Sequence, residues 1–92
     1  VKEIQVNSRS RLSLQSHSKR SEVWVVIKGE ASVTIDDKNI NLKVSESIYI
    51  PIGSKHRLEN KLNDPLHVIE VQTGVYFGED DIQRYEDDYD RI

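Results

Sequence analysis

Gln15, His17, Glu22 and His56 supply an amide oxygen, two imidazole nitrogens and a carboxylate. Donors of this hard-to-borderline kind suit zinc, manganese, cobalt, nickel or iron(II), zinc being the first expectation, and leave positions open for water or substrate. Residues two apart in a strand share a face. Gln15 and His17 therefore point one way, as do Glu22, Trp24, Val26 and Lys28, and as do His56, Leu58 and Asn60. Isolated Gln, His and Glu are ordinarily solvated or hydrogen-bonded surface residues, so spacing by itself does not separate a metal centre from three unremarkable polar faces.

The elements that would carry these residues are short. Alternating runs separated by turn residues occupy most of the chain: around Ile4–Val6, around Leu12–His17, Glu22–Lys28, 31–36, 40–44, 47–50, 56–60 and 65–73. About eight close-spaced segments rich in Val and Ile read as an all-β sandwich or barrel. Asp37, Lys38 and Asn39 read as a turn. Only the C-terminal end has a helical pattern. Ile82, Tyr85 and Tyr89 fall at i, i+3 and i+7 behind Glu79-Asp80-Asp81, an acidic start suited to a helix N-terminus. The expectation is one domain over 1–92, with a β-barrel over 1–78 and an acidic helix or tail over 79–92.

At 92 residues the chain is one domain's worth of sequence. It has no Cys, hence no disulfide framework and no thiolate metal site. No run approaches the roughly 18 apolar residues of a membrane span, and no basic-then-apolar leader opens the chain; a cytoplasmic location is the expectation. Thirteen Lys and Arg against sixteen Asp and Glu argue against a nucleic-acid partner. The charge is uneven: residues 79–92 carry seven acids and two bases, whereas residues 1–78 carry a balance of +2. A mildly basic body is compatible with a small anionic ligand.

From Gln15 the chain reads Q-S-H-S-K-R-S-E and continues to Gly29, and it later presents Pro51, Gly53, His56 and Asn60 as P-x-G-x-x-H-x-x-x-N. These resemble the two cupin motifs in order and spacing, with Gln15 in the place of the first His. LSLQ-x-H-x-x-R-x-E-x-W (12–24), YIP-x-G-x-x-HRLEN (49–60), IEVQ-x-G-x-Y-x-GEDDI (69–82) and R-x-ED (84–87) narrow the likeness. Over essentially its whole length the chain resembles type II mannose-6-phosphate isomerase, the cupin often found at the C-terminus of bifunctional mannose-1-phosphate guanylyltransferases. Nothing in it is similar to the Gly-rich nucleotidyltransferase signature. It departs from the family at Ser18, Lys19 and Val23, where members usually carry His, at Ser8-Arg9, usually Pro-Gly, and at Ser45, usually Gly.

The resemblance implies a cupin-type double-stranded β-helix, or jelly roll, and one divalent ion held by Gln15, His17, Glu22 and His56. It implies interconversion of mannose 6-phosphate and fructose 6-phosphate through an enediol, in the supply of GDP-mannose for polysaccharide synthesis. Such a reaction needs a base. Glu70 shares a face with Leu66, Val68 and Gln72, so its carboxyl can be directed into the barrel, where burial raises its pKa; a solvent-facing Glu70 is the other reading. Lys28, on the face of Glu22, is the second candidate. For the phosphate the expectation is Arg20, Lys19 and Arg84, guanidinium being a planar bidentate donor. Arg57, following His56, is expected outside the pocket, and Trp24, flanked by Val, in the core. Cupins commonly pair through strand edges, so a homodimer is expected. The alternative is a non-catalytic cupin that binds a metal or sugar phosphate, or assembles with a nucleotidyltransferase domain.

Overall fold

A computed structural model describes residues 1–86, which form ten strands and, among those residues, no helix. They are β1 (Lys2–Val6), β2 (Ser10–Arg11), β3 (Leu14–Ser16), β4 (Arg20–Lys28), β5 (Ala31–Ile35), β6 (Lys38–Leu42), β7 (Ser47–Ile50), β8 (His56–Asn60), β9 (Leu66–Gly74) and β10 (Gln83–Glu86). One antiparallel sheet runs β1-β9-β4-β7 and the other β10-β3-β8-β5-β6, with β2 added along β8.

Alternation explains which faces meet. Trp24 and Val26 of β4, Leu66 and Val68 of β9, Val6 of β1 and Ile50 of β7 turn inward from the first sheet. They meet Ala31 and Val33 of β5, Leu42 of β6 and Leu58 of β8 in one apolar cluster. Burial removes these side chains from water, the main driving force available to so small a chain. The cluster fills one end of the space between the sheets, and the polar inward positions Glu22, His56 and Glu70 extend the same faces toward the other end. Asn60 closes the far end of β8: its Nδ2 donates to the carbonyls of Val6, Asn7 and Asp64, and its Oδ1 accepts from the Leu62 amide.

Three expectations need correction. The helix expected from residue 79 is not formed where the chain is described: residues 79–81 lie in a turn, with the Asp81 amide bonded to the Gly78 carbonyl at 3.2 Å, and β10 follows, paired with β3. Residues 87–92, including Tyr89, lie outside the described residues. The turn expected at 37–39 is tighter, a two-residue Asp36-Asp37 connection, and Lys38 and Asn39 belong to β6. Asp36 takes a positive φ of 52°, which short polar side chains tolerate. Finally, a register shift between Val26 and Lys28 breaks the alternation of β4, so Lys28 does not share the face of Glu22.

Candidate metal centre

Two opposed rows of paired residues build the site. On one sheet, Arg84 of β10 pairs with Gln15 of β3, which pairs with His56 of β8. On the other, Lys2 of β1 pairs with Glu70 of β9, which pairs with Trp24 of β4, and Glu22 pairs with Gln72 one step along. Direct partners in a sheet project to the same face, so each row faces the other across the barrel. The space between is a cavity of about 210 Å³ lined by residues of both sheets, including Gln15, His17, Glu22, His56 and Glu70.

One ligand atom from each of His17, Glu22 and His56 lies within 4.8 Å of the others, and all three residues are buried. The imidazoles are oriented for ligation. His17 Nδ1 faces the carbonyl oxygen of Asp81, and His56 Nδ1 faces that of Ser54 at 3.1 Å. A carbonyl only accepts, so each Nδ1 carries the proton and each Nε2 presents a lone pair, the arrangement that orients metal-bound imidazoles. His17 Nε2 sits 3.3 Å from Glu22 Oε2. Burial, joined by the nearby Arg20 charge, lowers the His56 pKa to about 4 against the pull of the Ser54 carbonyl and Glu70, so it is neutral near pH 7. Gln15 lines the cavity and donates its amide nitrogen to Ser13 Oγ at 3.0 Å, so its side-chain oxygen is the atom that could serve as a ligand. Buried, oriented nitrogen and oxygen donors of this kind fit a divalent ion.

Glu70 faces the interior and is 4% exposed. Burial first, then the negative charge of Glu22, raises its pKa; Gln72 works weakly against this through a 2.7 Å hydrogen bond. Trp24 ties the two carboxylates together, its Nε1 donating to Glu22 Oε1 at 2.9 Å and to Glu70 Oε1 at 3.2 Å, while its ring packs edge-on to His56. Core packing, the expectation for Trp24, is half of its role. Its place two residues after Glu22 on one strand face was the signal for the other half.

The cationic candidates divide. Arg20 is buried and lines the cavity, with Nε donating to Glu22 Oε2 at 2.9 Å. Arg84 also lines the cavity. Lys19 is exposed outside it, its Nζ 5.1 Å from the Tyr76 ring centroid. Lys28 is exposed beyond the β4 bulge and pairs with His67, so it is not part of the cavity wall. Arg57 lines the cavity, contrary to expectation, but its guanidinium is spent on the carbonyls of Leu12 and Glu86, where it fastens β10.

Two contributors escaped the sequence reading. Lys2 lines the mouth and pairs with Glu79 at 3.3 Å; its alternation with Ile4 and Val6 pointed inward. Asp81 grips the turn after His17, accepting from the Ser18 amide and hydroxyl and from the Lys19 amide. Partial desolvation opposes these hydrogen bonds, which win and hold its carboxyl below the usual range. No local pattern announced that contact.

A family profile described as mannose-6-phosphate isomerase C-terminal matches residues 1–87. The chain belongs to that family. Among curated relatives, the alginate biosynthesis protein AlgA of Pseudomonas aeruginosa is 55% identical over 99% of this chain, and the xanthan biosynthesis protein XanB of Xanthomonas campestris is 50% identical over the same share. The mannose-1-phosphate guanylyltransferase ManC of Salmonella typhimurium is 49% identical over 100% of it. The chain spans about a fifth of the length of these relatives, 19% of AlgA and of ManC and 20% of XanB. Solved structures bear on the fold. A protein with a double-stranded β-helix domain from Klebsiella pneumoniae superposes with a TM-score of 0.79 at 19% identity, over 91% of this chain and 71% of that one. A predicted oxalate decarboxylase from Thermotoga maritima gives 0.74 at 20% identity, over 79% and 64%. This mannose-6-phosphate isomerase C-terminal domain is thus a cupin-type double-stranded β-helix. Among its described residues no helix is long and apolar enough to cross a membrane.

Proposed function

We propose that this domain is a metal-dependent aldose–ketose isomerase that interconverts mannose 6-phosphate and fructose 6-phosphate, with Gln15, His17, Glu22 and His56 as the metal ligands. The observation that carries the reading is the convergence of His17, Glu22 and His56 beside a second buried carboxyl, Glu70. A divalent ion, zinc first and manganese, cobalt, nickel or iron(II) next, would supply Lewis-acid polarisation of the sugar oxygens at C1 and C2. Glu70 moves the carbon-bound proton between C2 and C1 by way of the cis-enediol, taking it as the carboxylate and returning it as the acid, while the hydroxyl proton passes between O2 and O1. Burial and the Glu22 charge raise its pKa, which favours the step in which it holds the proton as the acid. Trp24 holds Glu70 and Glu22 in register with each other. Arg20 and Arg84 bind the phosphate from the cavity wall; Lys19, outside the cavity, is left as a guide at the surface. The relatives named for alginate and xanthan biosynthesis support a place in the supply of GDP-mannose for polysaccharide.

A coupled assay on purified protein, stripped by chelator and reloaded with zinc, manganese or cobalt, tests this. Activity should vanish and return with one of the metals, and His17→Ala or His56→Ala should abolish metal uptake; full retention of metal by either variant sinks the ligand assignment. The second reading is a non-catalytic module that binds metal or sugar phosphate, or assembles with a nucleotidyltransferase domain. Ser18 and Lys19 favour it, since their amides are tied to Asp81 and no imidazole stands at those positions. Metal binding without turnover in the same assay would decide for it. A homodimer in the cytoplasm completes the proposal. An outward apolar row of Tyr49, Val23 and Val71, paired across β7, β4 and β9, supports a second copy as partner.

A further inference from the structure

The guanidinium of Arg20 is aimed at the ligand atoms themselves. Nε donates to Glu22 Oε2 at 2.9 Å, Nη2 lies 3.3 Å from His17 Nε2, and Nη1 donates to the Phe77 carbonyl at 3.4 Å. The Asp81 carbonyl fixes the proton of His17 on Nδ1, so the Arg20 contact is a donor meeting the Nε2 lone pair. A single fixed positive charge therefore engages the His17 lone pair and a Glu22 oxygen together. A divalent ion needs those same two atoms free of other donors. Both residues are nearly inaccessible to water, so a cation there compensates a carboxylate that would otherwise be costly to bury.

Building on the proposed metal centre, we propose that Arg20 is an internal competitor for the metal, holding Glu22 and His17 until the ion enters and then turning away as the cation offered to the phosphorylated sugar. The exchange has to be a side-chain rotation. The backbone is pinned where β4 meets β9: a Cβ on Gly74 would lie 2.7 Å from Arg20 Cα and 2.3 Å from the Lys19 carbonyl oxygen. The cavity that Arg20 already lines gives the side chain somewhere to go.

Calorimetric titration of chelator-treated wild type, Arg20→Met and Arg20→Lys with zinc and with cobalt tests this. Arg20→Met should bind metal at least about tenfold more tightly, the scale of one charge-assisted hydrogen bond. Arg20→Lys should fall between, because an ammonium lacks the fork that holds two acceptors at once. In the metal-saturated state Arg20→Met should raise KM for the sugar phosphate more than it lowers kcat. Loss of the buried cation can weaken the fold, so the thermal midpoint is read as well, and metal should raise it further in Arg20→Met than in wild type. Unchanged or weaker metal affinity in Arg20→Met overturns this inference and leaves the metal centre standing. No uptake by wild type or either variant overturns the metal centre, and the competition with it.

Discussion

Burial favours the neutral form of both Glu70 and His56, which moves their pKa values in opposite directions and makes them separable by pH. The folded-state pKa of Glu70 lies above its ordinary value, so its contribution to stability is complete below about pH 4.5 and is lost as pH rises through the raised pKa. His56 is lowered to about 4, so its contribution is complete above the unfolded value near 6.5 and is lost as pH falls toward 4. Glu70→Gln keeps the shape and removes the charge. Thermal unfolding of the chelator-treated variant should show it more stable than wild type at pH 8, with the difference fading below about pH 4.5. The same variant should retain metal and lose turnover by about a hundredfold or more, the usual weight of a positioned acid–base group. Undiminished turnover would remove Glu70 from the mechanism. A sequence shows that Glu70 shares a face with Leu66 and Val68; it does not show that Trp24 places Glu22 against it, because that depends on β4 and β9 pairing at one register across 46 residues.

At the scale of elements, the acidic C-terminal segment is the instructive case. Ile82 and Tyr85 have helical spacing, yet β10 forms because contacts with β3 and β8 outweigh local preference. Tyr85 Oη bonds Ser16 Oγ at 2.9 Å, Arg57 holds the Glu86 carbonyl, and Asp81 caps the turn at Ser18 and Lys19. The strands themselves were legible, since alternation and turn residues are local. The β4 bulge that removes Lys28 and the docking of residues 79–86 were not, since both are settled between distant segments. Asp81→Ala keeps the backbone carbonyl that faces His17 Nδ1 but removes the carboxylate that ties the Ser18 and Lys19 amides. Loosening the turn that carries His17 should weaken metal binding by up to about tenfold, measured by the same titration; unaltered affinity would show the turn after His17 to be self-supporting. Two departures from the family also acquire a physical meaning. Arg9 and Ser45 both adopt positive φ, 54° and 73°, where members usually carry Gly. Each pays for a left-handed backbone, so Arg9→Gly and Ser45→Gly should each stabilise the protein by roughly 0.5–1 kcal/mol in denaturant melts. Destabilisation by either would mean that the replaced side chain makes contacts worth more than the strain.

For the molecule as a whole, the two sheets give one inward polar end and one outward apolar face, and these call for different tests. If a second copy covers Tyr49, Val23 and Val71, wild type should sediment as a dimer, and Tyr49→Lys combined with Val71→Lys as a monomer with metal affinity intact. A monomeric wild type would end that assignment. The polar end carries a further consequence. Lys2 of β1 lies on the cavity wall and meets Glu79, in the turn before β10, across its mouth, and Arg84 of β10 lines the same cavity, so the first strand and the last described one border one opening. Any polypeptide joined ahead of Val1 would therefore approach the barrel from the side of that opening. A neighbouring domain attached there could shade the opening or lend it a side chain, without needing a signal relayed through the core.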